Sequence, residues 1–356
     1  MLLFVALAAA VLTLVAYGIA ILFPEPRPNI VLADQISKQL PGMIISGVSI
    51  GFVYAMIALG YTLVYGVLKF INFAHSELFM LGAVASFFFL SVLNTAGLLT
   101  DVHPVLLIIV MVLLSGAFTG LIGVLVERIA YKPLRGAPRL VPLITAIGVS
   151  FVLIDLTRIF AAVTINDFNL TLPTREIPAL AAPVPFQFGS TTVNVRVSSI
   201  IIVVAAVIML LFLNYFVNGT RSGRAIRAIS QDATTAGLMG INVNLMISLT
   251  FLIGGAFGGF AGSLYSLNVG TINPYIGFFP GLKAFTAAVL GGIGNVTGAL
   301  LGGLFIGMTE SFLNGTLVYF PALGQRYTDV FTFGVLIAVL IFRPQGLLGE
   351  RVDEKV

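Results

Sequence analysis

Glu77, Asp155, Arg158, Lys283 and Glu310 stand inside or against long apolar runs. A charge at the centre of a bilayer costs about 2.5–3.5 kcal/mol on insertion scales, so each needs a partner or a task. Asp155 and Arg158 are three apart, which brings two side chains together on one helix. Lys283 and Glu310 fall on the two halves of a glycine-split apolar stretch and suit an ion pair between helices. Such pairs read either as structural clasps or as proton or sodium sites. Asn72, His75 and Glu77 make the densest polar group at membrane level, with Glu77 at the inner start of a span. They suit a helix break that lines a pathway or transmits motion, because irregular backbone there must be covered by protein or face a cavity. The alternative is a hydrogen-bonded corner. Gly291, Gly292 and Asn295, in the run GGIGN, suit a half-helix junction whose freed backbone groups meet a substrate or partner. They equally suit a tight turn.

Other chemistry is excluded by what the chain lacks. It has no Cys and only two His, and His103 sits in a loop, so no metal site is expected. No GxxxxGK[ST] run occurs, so the chain is not expected to hydrolyse nucleotide or to hold a cofactor of its own. No Ser–His–acid set stands out, and no enzyme is expected. The net charge of +4 reflects basic loops on one side rather than a nucleic-acid surface.

One stretch is not built for lipid: Gly219 to Ile241, GTRSGRAIRAISQDATTAGLMGI. Arg221, Arg224 and Arg227 sit three apart, along one face of a short amphipathic helix, with Asp232 and Gly240 following. A polar helix joining two spans on the basic side suits contact with a soluble partner. The plainer reading is a solvated loop whose arginines only fix topology.

These residues must be positioned by membrane helices. The chain is 58% hydrophobic and 9% charged, with apolar runs of about 20 residues, the length that crosses a bilayer. An all-α polytopic protein is expected. The spans are read as Leu2 to Phe23, Pro41 to Leu68, Leu78 to Leu93, a fourth from Pro104 to Glu127, Val141 to Ala162, Val197 to Val217, Asn244 to Leu267, two within 281–315, and Val330 to Phe342. Glu25 to Gln39 reads as a polar connection. The first run has no Lys or Arg before it, so it is read as a retained span rather than a leader. Positive-inside counting places Lys132, Arg135 and Arg139, then Arg221, Arg224 and Arg227, then Arg343, Arg351 and Lys355, in the cytoplasm. The run 281–315 must then go in and come back out as a hairpin. That makes about ten membrane helices with both termini inside. The Pro-, Thr- and Asn-rich stretch 164–196, with short β-like segments, forms a small extracytoplasmic cap.

The run GFVYAMIALGYTLVYGVLKFINFAHSELFMLGA, Gly51 to Ala83, resembles the first conserved block of the LivH-type permeases of branched-chain amino-acid ABC importers. RSGRAIRAISQDATTAGLMGINV, Arg221 to Val243, resembles their cytoplasmic coupling region. GLKAFTAAVLGGIGNVTGALLGGLFIG, Gly281 to Gly307, resembles their third block, and FRPQGLLG, Phe342 to Gly349, their C-terminal tail. The resemblance covers about Gln39 to Gly349. It divides the chain into an extra N-terminal span with its connection (1–40), a permease domain (41–349) and a cytoplasmic tail (350–356). Within the permease domain lie an outer loop (163–196) and a coupling segment (219–241). Leu2 to Phe23 is additional to the family pattern, and Ser76 stands where a glycine is common.

The resemblance implies a heterodimer with a second, LivM-type permease, two cytoplasmic ATPase subunits that use the ATP, and an extracytoplasmic amino-acid-binding protein. It places the chain in the cytoplasmic membrane of a bacterium or archaeon, and docks Arg221 to Gly240 into the ATPase. The competing expectations are three. One is a urea or short-amide importer permease of the same superfamily. Another is an ion-coupled carrier working through Glu77, Asp155 or Glu310. The third is a passive channel for a solute such as urea.

Overall fold

In lipid a backbone N–H or C=O has no water to bond, and a helix satisfies both within one segment. The apolar runs fold accordingly. The computed structural model describes residues 1–26, 30–99, 101–138, 140–173, 177, 183–188, 191–320, 327–342, 346 and 348. Arg139, Arg343, Arg351, Lys355, the tail 350–356 and the remainder of the loop 163–196 lie outside them.

In chain order the helices are α1 (Leu2–Leu22), α2 (Leu32–Leu68), α3 (His75–Thr95), α4 (Pro104–Val126), α5 (Leu140–Thr164) and α6 (Val197–Gly219). The polar α7 (Arg221–Gln231) and α8 (Ala233–Leu238) follow, then α9 (Val243–Val269), α10 (Phe278–Gly291), α11 (Val296–Leu317) and α12 (Thr328–Phe342). Among the described residues, eight helices are long and apolar enough to cross a membrane, and α10 and α12 are shorter apolar helices. The chain is therefore an all-α polytopic membrane protein with about ten apolar helices. The run 281–315 resolves into two helices joined at Gly292 to Asn295.

Two element boundaries differ from expectation. α2 begins at Leu32, inside the stretch read as a polar connection, and runs straight through Pro41. Its first turns carry Asp34, Lys38 and Gln39, but they bury Leu32 and Ile36 against Ala16 and Ala20 of α1 and Phe312 of α11. That i, i+4 apolar pair outweighs the N–H that Pro41 cannot donate. The break after α2 is also shorter than the gap between the spans read as Pro41 to Leu68 and Leu78 to Leu93. Lys69 closes α2 in the left-handed region at φ 57°, and α3 already starts at His75.

α2 is the axis of the bundle, packed by α6, α9, α10 and α11. Small residues set the spacing. A Cβ on Gly51 would lie 2.9 Å from the Leu304 Cα of α11, and one on Gly259 would lie 1.9 Å from the Thr119 hydroxyl of α4. On the outer side, β2 (Pro183–Phe188) and β3 (Thr191–Arg196) form an antiparallel hairpin in the cap, with Pro183 opposite Arg196. β1 (Leu170–Thr171) pairs antiparallel with β4 (Thr271–Ile272), tying the cap to the loop after α9.

Candidate functional site

The polar residues gather at three levels. At the inner end, α7 buries Gly223, Ile226 and Ile229 and exposes Arg221, Arg224 and Arg227, each set with a spacing of three. Thr220 caps α7 by accepting from the Gly223 N–H at 3.0 Å. Gly223 has no room for a side chain, because a Cβ would lie 2.1 Å from the Phe216 carbonyl oxygen. Arg227 reaches back to the end of α6, donating to the Val217 carbonyl at 2.6 Å and to Asn218 Oδ1 at 2.7 Å. A cation there also meets the negative end of the α6 dipole. Arg227 is thus a strut between α6 and α7, while Arg224 makes one longer contact to the Gly219 carbonyl at 3.4 Å and Arg221 is exposed.

The segment is two helices, not one. Asp232 ends α7 and caps α8, accepting from the Thr234 N–H at 2.8 Å and the Thr235 N–H at 3.1 Å. The Thr235 hydroxyl, with the Thr235 and Thr234 N–H groups, holds the exposed Asp232 carboxyl below the usual carboxylate range. Gly240, at φ 85°, supplies the left-handed turn that follows α8. Beside it Leu238 is 84% and Met239 79% exposed. Both belong to the polar segment between two spans. Sequence reasoning passed over them, although two large apolar residues beside a turn glycine were visible in AGLMG.

At the break between α2 and α3 lie Asn72, His75 and Glu77, with Glu77 in the first turn of α3. That turn packs beside Gly60, and His75 Nε2 lies 2.2 Å from where a Gly60 Cβ would stand. His75 is buried, stacks edge-on against Tyr61 with ring centroids 4.8 Å apart, and neighbours the Ile57 carbonyl. Glu77 is fully buried; its Oε1 accepts from the Ser150 hydroxyl of α5 at 2.9 Å and the Ser76 hydroxyl at 3.1 Å. Its Oε2 has no hydrogen-bond partner among the described residues. The N-terminal turn of α10 closes over this corner. A Cβ on Gly277 would lie 2.5 Å from the Ser76 carbonyl oxygen and 3.1 Å from Glu77 Oε2. Asn72 accepts from the Tyr131 hydroxyl at 2.6 Å, which fastens the break to the turn after α4.

Below this corner, Glu127 is buried. It pairs with Arg135 and accepts from the Ser248 hydroxyl of α9 at 2.8 Å. Sequence reasoning used Arg135 only for topology. Gly291 and Gly292 end α10, and Asn295 caps α11 by accepting from the Gly298 N–H at 3.0 Å.

Toward the outer side, Lys283 Nζ lies 2.7 Å from Glu310 Oε1 and 2.8 Å from Asp329 Oδ1. Tyr54 donates to Glu310 Oε2 at 2.6 Å. Lys283 and Glu310 are 5% and 8% exposed. Four helices, α2, α10, α11 and α12, therefore meet at one ammonium. Asp329 and Tyr54 were not anticipated. Above them a cleft of about 680 Å³ opens between α2, β3, the ends of α6 and α9, and α11, with Glu310 and Ser49 deep and Asn194 and Arg196 in β3. The remaining pair, Asp155 and Arg158, meets at 2.9 Å on an exposed face of α5, where Arg158 also lies over the rings of Phe168 and Tyr275. Among the described residues no group of His and carboxylates could hold a metal ion.

A family model described as the permease component of the branched-chain amino acid transport system matches residues 43–340. The high-affinity branched-chain amino acid transport system permease protein BraD of Pseudomonas aeruginosa is 43% identical over 321 residues, 88% of this chain and 97% of the relative. The corresponding permease protein LivH of Escherichia coli is 38% identical over 317 residues, 87% of this chain and 96% of the relative. A probable branched-chain amino acid transport permease protein, LivH of Methanocaldococcus jannaschii, is 26% identical over 297 residues, 83% of this chain and 88% of the relative.

Proposed function

The chain belongs to the family of permease components of the branched-chain amino acid transport system, and from that premise we propose that it is the membrane half of an ATP-driven importer. It carries branched-chain amino acids inward across a cytoplasmic membrane, beside a second, LivM-type permease. Two ATPase subunits bind and hydrolyse the ATP, and a binding protein outside the membrane delivers the amino acid. The chain itself has no nucleotide site and binds no cofactor. The observation that carries this reading is the similarity to named permeases over nearly the whole chain.

The inner segment supports the rest. Arg221, Arg224, Leu238 and Met239 present charge and exposed apolar surface on the side that positive-inside counting makes cytoplasmic. In this reading they dock into the ATPase. Arg227 then passes the ATPase motion to α6, to which it is hydrogen-bonded. α7 also packs on α2 and α9, so the motion reaches the corner at His75 and Glu77, whose break at Lys69 to Ala74 can absorb it.

The test is uptake of labelled leucine in cells with and without the gene, with the proton gradient collapsed in one arm and ATP depleted in the other. Gene-dependent uptake that needs ATP and survives loss of the gradient is expected. Uptake that follows the gradient instead identifies a carrier and sinks the importer. The Arg224→Ala/Arg227→Ala double variant is expected to lose at least tenfold in uptake while staying at normal level in the membrane, because it removes a docking cation and the strut to α6 together.

A further inference from the structure

The outer cleft has the charge layout of an amino-acid site. Resting on the importer reading, we propose that it is a vestibule in which this chain binds the free aliphatic amino acid before translocation. Its ammonium settles at Glu310 and Ser49, and its carboxylate is received by Arg196.

Four observations carry this. Beneath the cleft Glu310 and Asp329 both pair with Lys283, so among the described residues two carboxylates face one ammonium there, while Lys38 also lines the cleft. Among the described residues Glu310 is the one carboxylate in the cleft lining, and a second primary ammonium can meet its exposed edge beside the bonds from Lys283 and Tyr54. Ser49 also lines the cleft, is 2% exposed, and its hydroxyl has no hydrogen-bond partner among the described residues. A buried hydroxyl with nothing to bond is costly, and a ligand group satisfies it. In the cap, Arg196 commits one nitrogen to the Asn268 carbonyl at 2.9 Å. It keeps the rest of its five-donor fork for a carboxylate. Finally, Met43, Ile50 and Val195 give the same cleft apolar wall for an aliphatic side chain, and about 680 Å³ admits one with water.

The chain has no Cys, so one introduced thiol is unique on it. Ser49→Cys is placed in the assembled importer, in right-side-out membrane vesicles washed free of soluble proteins. The rate of labelling this chain by an external methanethiosulfonate reagent is followed. Labelling is expected, slowed by leucine and by isopentylamine, which keeps the ammonium alone, and unaffected by 4-methylpentanol. Adding Arg196→Gln should raise the leucine concentration for half-protection about tenfold, the scale of a lost charge-assisted hydrogen bond, and leave isopentylamine unchanged. Should Ser49→Cys fail to accumulate, Ser46→Cys, one turn nearer the surface in the same cleft, carries the same measurement. A thiol that is never labelled, or is labelled at a rate leucine does not alter, overturns the vestibule. Leucine uptake in cells carrying the unaltered chain separates the two failures. Uptake with an unprotected thiol removes the vestibule alone, and no uptake removes the importer reading beneath it.

Discussion

The two most charged regions treat their charges in opposite ways. On α7 the arginines are exposed and bond only to nearby backbone and to Asn218, as Arg227 does to Val217. At the outer side the buried Lys283 and Glu310 are bonded to each other, with Asp329 and Tyr54 joining them, across four helices. Exposed charge contacts contribute about 0–1 kcal/mol, so the outward α7 cations do little for the fold and remain available to a partner. A buried cluster is different. Its net worth against an apolar core is small, but removing one member strands the others. The same kind of residue is therefore a docking element at one end of the molecule and a fastening at the other.

Breaking the fastening should give the largest effect. Lys283→Met leaves two carboxylates without their cation and is expected to destabilise by about 3–5 kcal/mol, the range for a broken buried pair. Thermal unfolding in detergent reads this as a much lowered midpoint. Lys283→Met/Glu310→Gln should recover part of the loss, because one stranded charge is gone. A single variant as stable as the unaltered chain removes the contrast between the two regions.

The docking end should respond in the other measurement. Leu238→Ser/Met239→Ser replaces two side chains that bury almost nothing in this chain. Stability should be unchanged, while co-purification of the ATPase weakens about tenfold, since fully burying one such side chain against a partner contributes about 1.5–3 kcal/mol. An equal loss of stability and of binding would mean that these residues pack within the fold, and the two regions would not differ in kind.

How much of this the sequence disclosed follows the same division. The apolar spans were legible because a run of about 20 apolar residues has few other fates. The pairing of Asp155 with Arg158 needs only local helix geometry. What was hidden needed the third dimension. Asp329 sits at the mouth of the last helix and looks solvated until α10, α11 and α12 close around Lys283. Ser150 meets Glu77 across 73 residues of chain. The burial of His75 and Glu77 depends on Gly60 and Gly277, which admit the first turn of α3 between α2 and α10. The capping role of Asp232 was hidden for a different reason. Asp followed by Ala-Thr-Thr is a cap signal, and taking the whole stretch as one amphipathic helix concealed it.

Asp155 and Arg158 supply the smallest effect and the sharpest check on the comparison. They are charged like the buried cluster and paired at a similar distance, 2.9 Å, yet their side chains are 60% and 43% exposed. If burial rather than pairing decides what a charge does, this pair behaves like the arginines of α7 and contributes about 0–1 kcal/mol. Asp155→Asn is therefore expected to leave the unfolding midpoint and leucine uptake within twofold of the unaltered chain. A carrier that used Asp155 as its ion site would instead lose gradient-driven uptake with the carboxylate. The same variant thus measures the worth of an exposed pair and asks whether any charge outside the three polar levels takes part in transport.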